Sequence, residues 1–383
     1  MNIEKIFETI DYLEQEYILF WQELCNIESP TEYKDGVDRA GRLIIERAKK
    51  LGFDIEICEQ KISGNAFCIT MNSTASARPV CFSGHIDTVH PVGAFGHPPV
   101  KIKDGVMYGP GVTDCKGGVV AALYAMNALK LCDFNERPIK LIVQSDEETG
   151  SQSSKGETIK FMAEKAKDCV AFLNCEGARD GGIILIRKGI IRCNFCVKGK
   201  SVHASAAHRG KSAIAEAAYK ILELEKFKDQ EGITASCGII NGGTAANTVP
   251  DSCSFTFDFR FQNKEQYAII KKAIKHISDK SFIQGTSCEF KIISERVAME
   301  EKKLNIELYE KIGDIFEKAG LQRLGRTLSA GGSDASDMTS FGIPTVDGFG
   351  VYGCEIHSVN EKADISSLLT AAKRLALIAV EIE

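Results

Sequence analysis

Residues 79–85 read PVCFSGH, a short apolar run of strand-forming residues that breaks at glycine and histidine. Two more runs of this kind follow, IKLIVQSDEE at 139–148 and CVAFLNCE at 169–176, with helical stretches between them, GGVVAALYAMNALKL at 117–131 and GETIKFMAEKAK at 156–167. Such alternation predicts an α/β fold, a sheet with helices on its faces. Near residue 190 the pattern changes. From there the order is strand (IIRCNFCVKG, 190–199), helix (KSAIAEAAYKILELEKF, 211–227), strand (ITASCGII, 233–240), strand (CSFTFDFRF, 253–261), helix (KEQYAIIKKAIKHISDK, 264–280) and strand (SCEFKIIS, 287–294). The order βαββαβ is the ferredoxin-like split unit, here of ordinary domain size. Beyond 296 the α/β pattern resumes with a helix at 304–320, a loop LSAGGSDASD at 328–337, a strand-like run IPTVDGFG at 343–350 and a closing helix at 364–382. The middle segment, 189–296, therefore reads as an insertion into a first domain made of 1–188 and 297–383.

A chain of 383 residues is past the size at which single cores stop growing, which suits two domains. With 44% hydrophobic and 26% charged residues it reads as neither disordered nor membrane-resident. The opening segment, MNIEKIFETIDYLEQEYILFWQEL, mixes acidic and apolar residues at helical spacing and reads as an amphipathic helix, not a signal peptide, so a cytoplasmic location is expected. Lys and Arg total 47 against 52 Asp and Glu, with no long basic run, which argues against nucleic acid as a partner. The fourteen cysteines are scattered through apolar runs and read as small buried hydrophobes of a reducing compartment. Cys193 and Cys196 form a lone C-x-x-C with no second pair to complete a zinc ribbon. GFGVYG at 348–353 opens no helix and is read as a turn, and Asn72-Ser73-Thr74 as a surface loop.

The chemistry-bearing residues gather at strand ends and glycine-rich turns. In SGHIDTVH (83–90), His85 and Asp87 share a side if strand geometry persists, so one can ligate a metal while the other orients it; a histidine that merely caps a strand end is the plain alternative. His90 reads as an ordinary loop residue. Asp114, in YGPGVTDCKGG, stands just before a helix, where it is either a carboxylate shared by two cations or an N-cap. Glu147 and Glu148 follow the strand IKLIV and in extended chain face opposite ways, so one can ligate while the other acts as general base. Glu176 in LNCEGA and His357 in YGCEIHSVNEKAD complete the set. Each alone has a bland reading as a cap or solvated surface group. Together they sit where open α/β folds gather ligands, beyond the carboxyl ends of strands. His, Asp and Glu ligands without thiolates suit zinc or a similar divalent ion at a site that keeps water; Cys115, Cys175 and Cys354 lie beside these residues as decoys.

In this order and spacing, SGHIDTV, GVTDCKGG, DEETGS, the glutamate of LNCEGA and the late EIH resemble the di-zinc peptidases and amidohydrolases that include glutamate carboxypeptidase, acetylornithine deacetylase, succinyl-diaminopimelate desuccinylase, aminoacylase and the tripeptide aminopeptidases. The resemblance covers nearly the whole chain. It implies a zinc-exopeptidase-like catalytic domain, a mixed sheet flanked by helices, with the inserted ferredoxin-like domain as lid and dimerisation domain. It implies two Zn2+ per chain, replaceable by Co2+ or Mn2+: one on His85 and Glu176, the other on Glu148 and His357, with Asp114 bridging and its peptide to Cys115 cis. Glu147 would be the general base and Asp87 the partner of His85.

In the lid, GKSVHAS resembles the family's histidine motif and implies that His203 stabilises an oxyanion, in dimeric members from the partner subunit. TAANTVP and FDFR resemble the segments whose Asn and Arg hold the substrate carboxylate, here Asn247 and Arg260; a surface-paired arginine on an edge strand is the alternative for Arg260. AGGSDAS resembles the substrate loop, implying contacts from Gly331, Gly332 and Ser333. Many members carry glycine two residues after the lid histidine, where this chain has Ser205. The expectation is a zinc-dependent exopeptidase or deacylase acting on a small peptide or N-acyl amino acid, closest to glutamate carboxypeptidase, and a homodimer through the lid. The competing reading is a catalytically silent relative.

Overall fold

The apolar stripe of the N-terminal segment forms helix Ile3–Asn26, capped by the Asn2 side chain on Lys5 N–H, with Ile6, Ile10, Leu13, Tyr17, Trp21 and Leu24 buried along one face. It packs on helix Lys116–Leu131 and on the closing helix Ser366–Glu381. Helix Lys116–Leu131 is buried over nearly its full length because it lies between those helices and the sheet, which explains why GGVVAALYAMNALKL is apolar all round.

The computed structural model describes residues 1–178, 182–229 and 232–383. They fall into two units, one of Met1–Leu185, Glu301–Leu328 and Ser333–Glu383, the other of Ile186–Glu300 with Ser329–Gly332. The first is built on an eight-stranded mixed sheet in the order Asp54–Cys58, Ala66–Met71, Ile139–Gln144, Val80–His85, Ala171–Asn174, Thr345–Asp347, Ile183–Arg187, Arg326–Ser329. Val80–His85 runs parallel to both Ile139–Gln144 and Ala171–Asn174, so His85, the turn after Gln144 and the turn after Asn174 emerge at one edge. Helices cover both faces, and the strands are accordingly buried at successive positions instead of alternating. On the face opposite Lys116–Leu131, Cys68, Cys81, Ile142 and Phe172 pack under Ile159 and Met162 of helix Glu157–Ala166 and under Met338.

A second, small sheet, in the order Gly353–Cys354, Lys362–Asp364, Val106–Tyr108, Lys101–Lys103, pairs Lys362 with Tyr108 and so brings the chain around residue 361 alongside the turn at 109–114. Its strands are two and three residues long and carry no readable periodicity. The segment 328–337, expected as loop throughout, instead takes in the end of strand Arg326–Ser329 and the start of helix Asp334–Ser340, which Ser333 caps.

The other unit is a four-stranded antiparallel sheet in the order Thr234–Gly242, Ser252–Phe261, Gly189–Lys198, Ser287–Arg296, with helices Ala213–Glu225 and Lys264–Asp279. The chain order is βαββαβ. The core is Phe195, Phe255, Phe257 and Phe259 with Ile191, Ile270 and Ile274. Cys193 points into it and Cys196 outward, so the C-x-x-C cannot close on a common metal. Arg260 lies on an interior strand, not on an edge. No helix among the described residues is long and apolar enough to cross a membrane.

Candidate metal centre

His85 ends its strand and is almost wholly buried. Its Nδ1 lies 3.0 Å from the Asp87 carbonyl and 3.4 Å from Asp87 Oδ1. A proton donated there leaves Nε2 facing Asp114 Oδ1 at 3.0 Å and Glu176 Oε1 at 3.5 Å. The second imidazole, His357, sits in a loop at φ +63°, and its Nε2 is 3.2 Å from Asp114 Oδ2 and 3.2 Å from Glu148 Oε2. Asp114 thus gives one oxygen to each histidine. It is not an N-cap: the residue before the helix is Cys115, and neither side chain caps it. The Asp114–Cys115 peptide is cis.

The helix can begin so close to these groups because Gly117 and Gly118 present no side chain; a Cβ on Gly118 would stand 1.8 Å from the Cys175 carbonyl oxygen. Glu147 and Glu148 are not in extended chain. The strand ends at Gln144, and Glu147–Thr149 form a single 3-10 turn whose first N–H groups converge on Asp87: Glu147 N–H donates to Oδ1 at 3.2 Å and Glu148 N–H to Oδ2 at 3.1 Å. The Thr31 hydroxyl adds a third bond, 2.7 Å to Oδ2. Asp87 is therefore a joint between the His85 strand and the glutamate turn, besides facing His85.

Three carboxylates, the buried His85 imidazole and the half-exposed His357 imidazole set each other's proton affinities. Burial pushes the Asp114 carboxyl up, but hydrogen bonds with His357 and His85 outweigh it and hold it well below its ordinary range. Asp114 and Glu148 push His357 up to about 11. Burial pushes Glu148 up to about 8, against the pull of His357 and with the charge of Asp114 adding to it. In His85 burial opposes the charged form and is overcome by Asp114, Asp87 and Glu176. Three carboxylates that keep two imidazoles protonated at their shared centre want positive charge there. Its donor separations of 3.0–3.5 Å are those of ligands sharing an ion bound at about 2.0–2.2 Å. The residues present fit a pair of divalent cations. Cys115 also lies near His85 and Glu176, but its thiol is held protonated by burial and donates to the Cys175 carbonyl at 3.2 Å.

The remaining expected site residues, apart from Ser333, belong to the other unit. His203 is exposed, its Nδ1 accepting from the Ser205 N–H at 3.3 Å and lying 2.8 Å from the Ser205 hydroxyl. Asn247 is exposed, and its carbonyl accepts from Ala204 N–H at 2.8 Å. Arg260 is paired with Asp258, Nε to Oδ1 at 2.6 Å, with Nη1 toward the Ala330 carbonyl at 3.5 Å. The carbonyls of Gly331 and Gly332 each accept from Arg187 at 3.3 Å. Ser333 is buried, and its hydroxyl donates to Asp347 at 2.6 Å and accepts from Ala335 N–H at the helix start. Its side chain is therefore committed to the fold.

Sequence reasoning missed Thr31, Arg187 and Glu361, because each acts on its neighbours through hydrogen bonds that no residue spacing announces. It also underrated His90, which is buried, stacks edge-on against Phe95 and lies 3.1 Å from the Ser358 carbonyl through Nε2.

Residues 81–381 match peptidase family M20/M25/M40. The chain is 25% identical over 367 residues to carboxypeptidase G2 of Pseudomonas sp. (strain RS-16), covering 94% of this chain and 86% of the relative. It is 23% identical over 348 residues to a succinyl-diaminopimelate desuccinylase of Alkalilimnicola ehrlichii, covering 87% and 90%. Among solved structures, a tripeptidase from Staphylococcus aureus superposes with a TM-score of 0.79 at 26% identity, covering 96% of this chain and 98% of that one.

Proposed function

The chain belongs to peptidase family M20/M25/M40 and is a metal-dependent hydrolase, and from that premise we propose that it is a di-zinc exopeptidase cleaving an amide bond next to a free carboxylate. One observation carries the reading: the two oxygens of Asp114 face two different imidazoles, 3.0 Å from His85 and 3.2 Å from His357. Asp114 would be shared by two cations, with His85 and Glu176 helping to hold one and Glu148 and His357 the other; bound there, they would supply polarisation of a carbonyl and a more acidic water.

The protein's own groups do the rest. Glu147 takes a proton from the attacking water and returns it to the leaving amine. Asp87 fixes the His85 ring and the turn that carries both glutamates. In His203 the Ser205 N–H occupies Nδ1, which puts the ring proton on Nε2, the form that donates to an oxyanion. Arg260, with Asn247 and the backbone of Gly331 and Gly332, holds the substrate carboxylate; the planar guanidinium suits two parallel bonds.

The lengthwise match to carboxypeptidase G2 and the stretches DTVHPVG, GKSVHASAAHRG and AGGSDAS favour a carboxypeptidase. The match to a desuccinylase supports deacylation of N-acyl amino acids as the second reading. A panel of C-terminally varied dipeptides, tripeptides and acyl amino acids separates the two. Chelation must abolish turnover and added zinc, cobalt or manganese restore it. Fewer than two metals bound per chain, with no turnover on the panel, would instead support the silent relative. We also assign a homodimer through the inserted unit, on the strength of its edge strand Thr234–Gly242, where Ile239 and Ile240 are 58% and 51% exposed; sedimentation tests it. The fourteen thiols, all unpaired, suit a reducing cytoplasm.

A further inference from the structure

We propose that Glu361 is a positioning residue that sets the bridging carboxylate of Asp114 against His357. The proposal rests on the two-cation reading above. Glu361 is wholly buried. Its carboxylate accepts three backbone N–H groups from the turn that carries Asp114: Gly111 at 3.1 Å, Thr113 at 2.9 Å and Asp114 itself at 3.0 Å. It stands four residues after His357, and its own N–H is tied back to the Ser358 carbonyl at 3.1 Å. The same seam is closed by Gly109 N–H on the Glu361 carbonyl at 3.2 Å and by the Thr113 hydroxyl on the Lys362 carbonyl at 2.9 Å. His90 lies against the same joint, its Nε2 3.1 Å from the Ser358 carbonyl and its Nδ1 3.8 Å from Glu361 Oε2.

Glu361 therefore joins the segment that presents Asp114 Oδ2 to the segment that presents His357 Nε2. A carboxylate is required because three donors converge on two oxygens. An amide would turn its NH2 toward at least one of them. The other half leans on this joint for Asp114 alone, since His85 is fixed by its strand and Asp87 and Glu176 follows the strand Ala171–Asn174, whereas the half at Glu148 depends on it for both Asp114 and His357. The expected signature of losing Glu361 is thus asymmetric, a weakened site at Glu148 and His357 beside a retained one at His85 and Glu176.

The test is zinc titration of metal-free full-length protein, wild type and E361Q, against a chromophoric chelator. E361Q is expected to weaken one of two binding steps by about 10–100-fold and leave the other within about threefold, with kcat recovered at excess zinc and KM unchanged. T113V, which removes only the hydroxyl latch, should weaken the same step by a smaller factor, and it supplies the same readout if E361Q does not fold. A wild type that binds fewer than two zincs overturns the two-cation reading and this proposal with it. A wild type that binds two, with both steps unchanged or equally weakened in the variants, overturns the positioning role alone.

Discussion

Gly118→Ala tests the packing that brings the centre together. A Cβ on Gly118 would lie 1.8 Å from the Cys175 carbonyl oxygen, 2.8 Å from Cys175 Cβ and 2.9 Å from its carbonyl carbon. The nearest obstacle is backbone, so no rotamer change relieves the contact. Restoring even 3.0 Å requires the first turn of helix Lys116–Leu131 and the end of strand Ala171–Asn174 to part by about 1.2 Å. Asp114 precedes that turn and Glu176 follows Cys175, so the opening falls between two of the groups around His85. Metal sites tolerate errors of about 0.2 Å in ligand distance, and a misplacement of 1 Å costs about 100-fold in rate. The overpacking itself costs about 1–3 kcal/mol, which a protein of this size survives. The expected result is a folded variant with an unfolding free energy in urea lowered by that amount, weaker zinc binding, and kcat/KM down about 100-fold. Gly325→Ala is the control, since nothing lies within 4 Å of its Cβ position. A Gly118→Ala enzyme with wild-type zinc affinity and a rate within about twofold would refute the reasoning.

Glu147→Gln should cut kcat by about 10²–10⁴-fold with bound metal unchanged, read from turnover and metal analysis together; full activity would sink the base assignment. Asp87→Asn aims an amide donor at Thr31, Glu147 or Glu148 and should destabilise the metal-free protein by about 2–3 kcal/mol in urea unfolding. Arg260→Lys should raise KM for carboxylate substrates by about 10–100-fold and leave kcat nearly intact, which steady-state kinetics decides. In the inserted unit, Lys220→Met removes the ammonium 3.2 Å from the buried Glu216 carboxylate and the donor to the Ile277, Ser278 and Lys280 carbonyls, and should cost about 3–5 kcal/mol in urea unfolding; a loss under about 1 kcal/mol would refute it.

What the sequence discloses and what it hides follow from different parts of the chain's chemistry. Helix Lys116–Leu131 and the strands beside it were legible because burial on every side forces apolar runs, and the βαββαβ order because period changes mark its boundaries. The group His85, Asp114, Glu148, Glu176 and His357 was legible as a set because ionisable side chains at strand ends are costly to gather without a use. Glu147 and Glu148 show the limit. Their adjacency predicts opposed side chains in extended chain, but the local backbone is decided by an acceptor sixty residues away, Asp87, which takes both of their N–H groups. Glu361 is the stronger case. In HSVNEKAD it is one acidic residue in a polar stretch, indistinguishable from a solvated one. Its partners are amide hydrogens, which every residue but proline carries and no sequence pattern marks. Only the pairing of Lys362 with Tyr108, through strands too short to have a period, brings those amides to it. A site's reactive groups can be read from the rarity of their side chains. The groups that aim them work on the backbone, and must be found by asking where each buried N–H goes.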